Sequence, residues 1–210
     1  MTVKPRVLLA DDHRIVAEGL KSILEKDFVL VGIVEDGRSL VRAVAELRPD
    51  VIVADISMPQ LNGLDALTHL KRDNPQVRVV FLTMHRDAAY ARRALEAGAA
   101  GYVLKHAAPA ELVLAIHAAL QGRTFITPDL AAEVLRAGKA TDPDPVGALT
   151  ERQREILQLL VAGKSAKEIA AVLALSARTV EDHKYRMMES LGIENSAELI
   201  HFAIKHGLVP

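Results

Sequence analysis

The chain has 210 residues, half of them hydrophobic, and a formal net charge of -1. That length suits two small domains, each with its own core. The sequence holds no cysteine, which excludes a disulfide framework and a thiolate metal site, and near-neutrality requires any nucleic-acid surface to be local.

No apolar run reaches the roughly 20 residues of a membrane span. Met1-Thr2-Val3-Lys4-Pro5 leads straight into a short apolar run and not into a signal-peptide core of about 7–15 residues. A soluble, cytoplasmic protein is the simplest reading. The first part then alternates short apolar runs with amphipathic stretches. The runs are Val7-Leu8-Leu9, residues 29–34, Val51-Ile52-Val53, Val79-Val80-Phe81-Leu82 and Tyr102-Val103-Leu104. Short, β-branched and apolar throughout, they suit strands buried on both faces. Between them, Leu40, Val44 and Leu47 share a helical face, as do Leu64, Leu67 and Leu70, and Leu112, Ile116 and Leu120. Such alternation predicts right-handed βαβ units in an α/β fold with a five-stranded, doubly wound parallel sheet, spanning residues 1–122.

Residues 123–147 read as a linker with room for one short helix at 130–135. Asp142-Pro143-Asp144-Pro145 opposes both helix and sheet. Residues 148–210 read as a small all-α domain of four helices at about 150–162, 165–173, 177–191 and 196–206. Thr150 with Gln153, and Ser165 with Glu168, have the spacing of capping boxes. Ser176 fits an N-cap, and Gly163 and Gly192 fit helix ends.

Ligands of an open α/β sheet sit at the carboxyl ends of its strands. Asp11 and Asp12 follow the first run, Asp55 the third, Thr83 the fourth and Lys105 the fifth. Three carboxylates, a hydroxyl and an ammonium would converge on one rim. Asp11, Asp12 and Asp55 could hold a hard divalent cation such as Mg²⁺, which takes oxygen ligands and works beside phosphate. Asp55 is a candidate nucleophile towards phosphorus. Lys105 and Thr83 could stabilise phosphoryl oxygens. Singly, each residue also reads as a solvated turn or a helix cap; the convergence of four strand ends favours the phosphate site.

Residues 5–122 resemble the receiver domain of two-component response regulators, a flavodoxin-like fold. The matching segments are residues 7–13, the Asp-x-x-Met-Pro-x-x-x-Gly run from Asp55 to Gly63, Leu82-Thr83, and Gly101-Tyr102-Val103-Leu104-Lys105. The resemblance implies that Asp55 accepts phosphate from a sensor histidine kinase. It implies Mg²⁺ held by Asp12, Asp55 and the backbone carbonyl of Ser57, with Asp11 assisting. Thr83 and Tyr102 would form the switch pair. Ser57 and His85 stand where that family tunes phosphoryl lifetime. His106 follows Lys105 where many receivers have proline, so a trans bond is expected there.

Residues 165–191 read as helix, turn, helix. Ile169, Val172 and Leu173 give the first helix an apolar face, Leu175 fills the turn, and Val180, Met187, Met188 and Leu191 face inwards from the second. The second helix turns Arg178, Glu181, Asp182, Tyr185, Arg186 and Glu189 outwards, with Lys184 alongside. A helix-turn-helix sets its second helix in the major groove, while the free N–H groups of Ser165-Ala166-Lys167 and the Lys167 side chain could meet a phosphate. A generic helical bundle with a solvated charged face is the alternative, and acid and base balance over residues 149–210.

Residues 149–157, 163–170 and 176–183 resemble the LuxR-type four-helix domain in order and spacing. The two halves together resemble the NarL/FixJ subfamily of response regulators. The implied DNA contacts are Ser165, Lys167, Arg178, Thr179, Glu181, Asp182, His183, Lys184, Tyr185 and Arg186. Tyr185 could reach a base or sugar, or cover the helix. Many relatives have lysine where Glu181 stands, so modest affinity for a single half-site is expected. Leu199, Ile200, Ala203 and Ile204 would pack the last helix on the core, its outer face serving a dimer. His201 and His206 are five apart, a spacing that does not suit a metal pair. The reading is a DNA-binding transcriptional regulator and not an enzyme, a homodimer when phosphorylated, with RNA polymerase among its conceivable partners. The alternatives are a phosphorylation-independent regulator or protein-binding adaptor, and a Mg²⁺-dependent phosphotransferase.

Overall fold

Six short runs form one parallel sheet in the computed structural model, which describes residues 3–107, 109–137 and 149–205. The chain divides into two units, Met1–Thr141 and Asp142–Pro210. In the first, the elements are β1 (Arg6–Ala10), α1 (Arg14–Leu24), β2 (Val29–Val34), α2 (Gly37–Leu47), β3 (Val51–Ala54), α3 (Gly63–Asp73), β4 (Val79–Thr83), α4 (Ala88–Glu96), β5 (Gly101–Leu104), α5 (Pro109–Leu120), β6 (Phe125–Ile126) and α6 (Pro128–Ala137).

The strand order is β2-β1-β3-β4-β5-β6, and every pairing is parallel. The chain winds one way from β1 to β2 and the other way from β3 onwards, so the order reverses between β1 and β3. Asp11 and Asp12 leave the first of these strands and Asp55 the second, at the switch point where such sheets open a crevice. β3, β4 and β5 are buried along their whole length, and β1 along all but its first residue. Burying each of their large aliphatic side chains stabilises the fold by about 1.5–3 kcal/mol.

Two expectations change. The sheet has six strands and not five, and residues assigned to the linker hold β6 and α6 within the first unit. β2 is a half-exposed edge strand, with Val29 and Ile33 open to water, because only β1 pairs with it. Residues 138–147 of the linker lie outside the described residues.

The second unit contains α7 (Glu151–Val161), α8 (Ala166–Leu173), α9 (Ala177–Leu191) and α10 (Ser196–Lys205). Both capping boxes form, Thr150 with Gln153 and Ser165 with Glu168. Ser176 caps α9 through the Thr179 N–H, and Gly163 and Gly192 take the left-handed conformation at helix ends. Arg152 donates to Glu155 (2.7 Å) and to the Leu173 carbonyl (2.5 Å), which ties α7 to the end of α8. Leu149, Ile156, Leu157, Ile169, Val180, Met187, Leu199 and Ala203 form the core. Val172 and Ile204 do not join it: they are 59% and 57% exposed. Each shares a helix with buried residues and is turned away from them by the helical rotation between neighbouring positions.

Candidate functional site

Backbone pairing between β1 and β3 brings the carboxylates together. The Asp55 N–H donates to the Ala10 carbonyl (2.8 Å), which sets Asp55 beside the end of β1. Its Oδ1 accepts from the N–H groups of Ile56 (2.6 Å) and Ser57 (3.4 Å). Its Oδ2 accepts from Lys105 Nζ (2.6 Å), and the same ammonium lies 2.8 Å from Asp11 Oδ2. Asp11 Oδ1 takes the His13 N–H (2.9 Å). Asp11 and Asp55 are buried, so one lysine bridges two carboxylates almost out of water. Burial works against the Lys105 charge, but Asp55 and then Asp11 more than offset it, and its pKa lies above the ordinary lysine value.

Asp12 completes the cluster. Ligand atoms of Asp11, Asp12, His13 and Asp55 all lie within 4.8 Å of one another. Asp12 Oδ1 is buried without a hydrogen bond of acceptable geometry, although His13 Nδ1 is 2.8 Å away. Burial raises the Asp12 pKa; His13 only partly opposes this, and Asp55 and Asp11 add to it. Three clustered carboxylates, two of them paired to one ammonium, leave excess negative charge and an under-satisfied oxygen. This oxygen-rich donor set suits a hard divalent cation.

The Asp55–Gly63 segment owes its last residue to close approach. A Cβ on Gly63 would lie 2.3 Å from the Asp55 carbonyl oxygen. Glycine alone lets α3 begin against the end of β3, and Asn62 caps that helix by accepting from the Asp65 N–H (2.9 Å).

The other predicted residues gather on the same side. Thr83 is buried, and its Oγ1 accepts from the His85 N–H (3.3 Å). Tyr102 points inwards, fully buried, and its hydroxyl donates to the His85 carbonyl (2.9 Å). Burial holds its pKa well above the ordinary tyrosine value. His85 does more than its sequence position suggested. Its Nε2 lies 2.7 Å from Ser57 Oγ, and its ring stacks on Tyr90 of α4 at 5.1 Å and 18°. It thereby joins the loops after β3 and β4. Burial lowers its pKa, against the pull of Asp55. The described residues include no cis peptide, in keeping with His106 after Lys105.

On the second unit, Arg178, Glu181, Asp182, Tyr185, Arg186 and Glu189 are exposed along α9. Lys184 pairs with Glu181 (2.8 Å). His183 is half-buried, and Thr179 Oγ1 is 2.8 Å from Ser176 Oγ. At the start of α8, Lys167 is exposed, while the Ser165 hydroxyl donates to Glu168 Oε2 (2.6 Å) within the capping box. Those hydrogen bonds lower the Glu168 pKa. His206 lies outside the described residues.

A parallel sheet with an acid–lysine rim, followed by a helix-turn-helix unit, defines a phosphorylation-type switch domain joined to a DNA-binding domain. Comparison with known proteins agrees. Residues 7–117 match the response regulator receiver domain, and residues 147–203 match the bacterial regulatory proteins of the luxR family. The chain is 38% identical to the transcriptional regulatory protein MctR of Rhizobium johnstonii, over 100% of this chain and 98% of that protein. It is 36% identical to the response regulator UvrY of Escherichia coli, over 96% and 94% respectively. Among solved structures it resembles RcsB of Salmonella enterica serovar Typhimurium bound to promoter P1flhDC in the presence of the phosphomimetic BeF3-. That match has a TM-score of 0.66 and 30% identity, over 95% of this chain and 98% of that one. The chain therefore belongs to the two-component response regulators of the NarL/FixJ type, with a receiver domain and a LuxR-type helix-turn-helix. It is a DNA-binding transcriptional regulator, in a family of regulators and not of enzymes.

Proposed function

We propose that Asp55 is the phosphoacceptor and that its phosphorylation by a sensor histidine kinase controls dimerisation and promoter binding. The observation that carries this reading is the Lys105 ammonium bridging buried Asp55 and Asp11. An Asp55 carboxylate oxygen forms the new P–O bond as the P–N bond to the kinase imidazole breaks. Lys105 neutralises charge on the phosphoryl oxygens, and the Thr83 hydroxyl turns to hydrogen-bond one of them. Asp11, Asp12, Asp55 and the Ser57 carbonyl would hold Mg²⁺, which supplies charge neutralisation at the phosphoryl group when bound. Tyr102, already inward on the His85 carbonyl, forms the switch pair with Thr83.

In this reading the first unit, β6 and α6 included, carries the phosphoacceptor function, and residues 148–210 bind DNA. Arg178, Thr179, Glu181, Asp182, His183, Lys184, Tyr185 and Arg186 face the major groove, with Ser165 and Lys167 towards a phosphate. Two copies meet paired half-sites in the cytoplasm and contact RNA polymerase there. The test is labelling with ³²P-acetyl phosphate and Mg²⁺. The wild-type chain should take an acid-stable, base-labile label and Asp55→Asn none. Label persisting on the asparagine variant overturns the site assignment.

A further inference from the structure

β6 is two residues long, yet the edge of β5 that faces it continues further. Pairing between the two stops at Tyr102↔Ile126. Beyond that point the Leu104 N–H needs another partner, because Leu104 is fully buried. Thr127 supplies it. Its Oγ1 accepts from the Leu104 N–H (3.1 Å), and its own N–H donates to the Tyr102 carbonyl (3.0 Å).

Thr127 stands immediately before α6, where a threonine hydroxyl ordinarily accepts from the helix's own first N–H groups. Here the hydroxyl accepts from β5. The Thr127 carbonyl serves the helix, accepting from the N–H groups of Leu130 (2.9 Å) and Ala131 (3.1 Å). The residue is 2% exposed, so neither bond competes with water.

The peptides on either side of Leu104 are thus held from opposite edges. On the β4 side the Lys105 N–H donates to the Thr83 carbonyl (2.8 Å); on the β6 side the Leu104 N–H donates to Thr127. Lys105 and Tyr102 both project from this stretch.

We infer that Thr127 is a positioning residue of the phosphoacceptor site, fixing the end of β5 so that the Lys105 ammonium meets Asp55 and Asp11. The inference rests on the reading of Asp55 as phosphoacceptor. Thr127→Val keeps the branched shape and removes the hydroxyl. An ångström-scale misplacement of a reacting group costs up to about 100-fold in rate, so a partial loosening should cost about tenfold.

The experiment follows phosphorylation of the full chain by acetyl phosphate with Mg²⁺. In Thr127→Val the rate at saturating donor should fall about tenfold, with the half-saturating donor concentration unchanged. Thr127→Ser, which restores the acceptor, should return the rate to near wild type. Amide hydrogen exchange at Leu104 should quicken in the valine variant and not in the serine variant. Val134→Ala, on the buried face of α6, should lower stability without lowering the rate. If the valine variant does not fold, Thr127→Ala against Thr127→Ser makes the same comparison. A valine variant at wild-type rate, a serine variant as slow as valine, or an equal loss in Val134→Ala overturns the inference alone. A wild-type chain that takes no label overturns the phosphoacceptor reading, and the inference with it.

Discussion

At the rim of the first unit, Asp11, Asp55 and Lys105 lie nearly out of water, with the Lys105 ammonium 2.8 Å from Asp11 and 2.6 Å from Asp55. On α9, Arg178, Glu181, Asp182 and Arg186 stand exposed, and Glu181 pairs with Lys184 at the surface (2.8 Å). Coulomb energies at one separation differ several-fold between these settings, because water screens the second and not the first. The rim therefore has fixed geometry and a lysine whose pKa is raised by its carboxylate neighbours, as chemistry at a phosphorus atom requires. The helix keeps exposed, solvent-screened charges, suited to a polyanion whose counterions must be displaced. Substitutions at the rim should accordingly have large effects confined to one reaction, and those on α9 small, salt-dependent ones.

The sharpest contrast comes from Lys105→Met. Phosphorylation by acetyl phosphate should slow at least about 100-fold, the usual loss when a preorganised charge-stabilising group is removed. The variant also alters stability against pH. The Lys105 pKa is raised in the fold, so its contribution is fully present below the ordinary lysine pKa of about 10.4 and is lost as pH climbs through the folded value. Urea unfolding of wild type should show that alkaline decline, and the methionine variant should lack this component. A variant that phosphorylates normally would remove the distinction between rim and surface.

Gly63→Ala comes next. The new methyl would press on the Asp55 carbonyl, and the fold should lose about 2–3 kcal/mol in urea unfolding. Asp12→Asn should move stability the other way. A carboxyl whose pKa is raised in the fold favours its protonated form there, so its stabilising effect is lost as pH rises from about 3.9 through the folded value. At neutral pH the asparagine variant should gain up to about 1 kcal/mol, a figure discounted for partial exposure to solvent. The gain should vanish near pH 3, while calorimetry should show weaker Mg²⁺ binding at neutral pH.

The smallest effect belongs to α9. Glu181→Gln removes an acid and releases Lys184 to the phosphates. Affinity for a random-sequence duplex should rise about two- to fivefold, with the salt slope steeper by about one. Fluorescence anisotropy across a salt series checks both. An unchanged slope would mean that Lys184 does not reach the backbone.

Much of the rim was legible because strand ends are legible. Asp11, Asp12, Asp55, Thr83 and Lys105 each follow a run of β-branched and apolar residues, and a parallel sheet aligns such ends. Gly63 was legible as part of the Asp55 segment, though the reason for it, the approach to the Asp55 carbonyl, was not. β6 is not legible in the sequence, because two residues, Phe125 and Ile126, have no periodicity to read. His85 was singled out only by its place after Thr83; its link to Ser57 joins residues 28 apart in sequence. Val172 lies outside the face its spacing predicts, because helical spacing fixes a face only to within a residue or so, and neighbouring helices decide what they cover.

The sequence by itself determined the alternation of elements, the caps of α7, α8 and α9, and the residue types that phosphate chemistry demands. Those depend on local backbone preference and on side-chain chemistry, both carried by short stretches of chain. Only the tertiary structure decided that one ammonium bridges Asp11 and Asp55, that His85 joins two loops, and that Thr127 closes the edge of β5. Each is a contact between distant segments within hydrogen-bonding range or at its limit, and such distances are set by how the strands pair and pack.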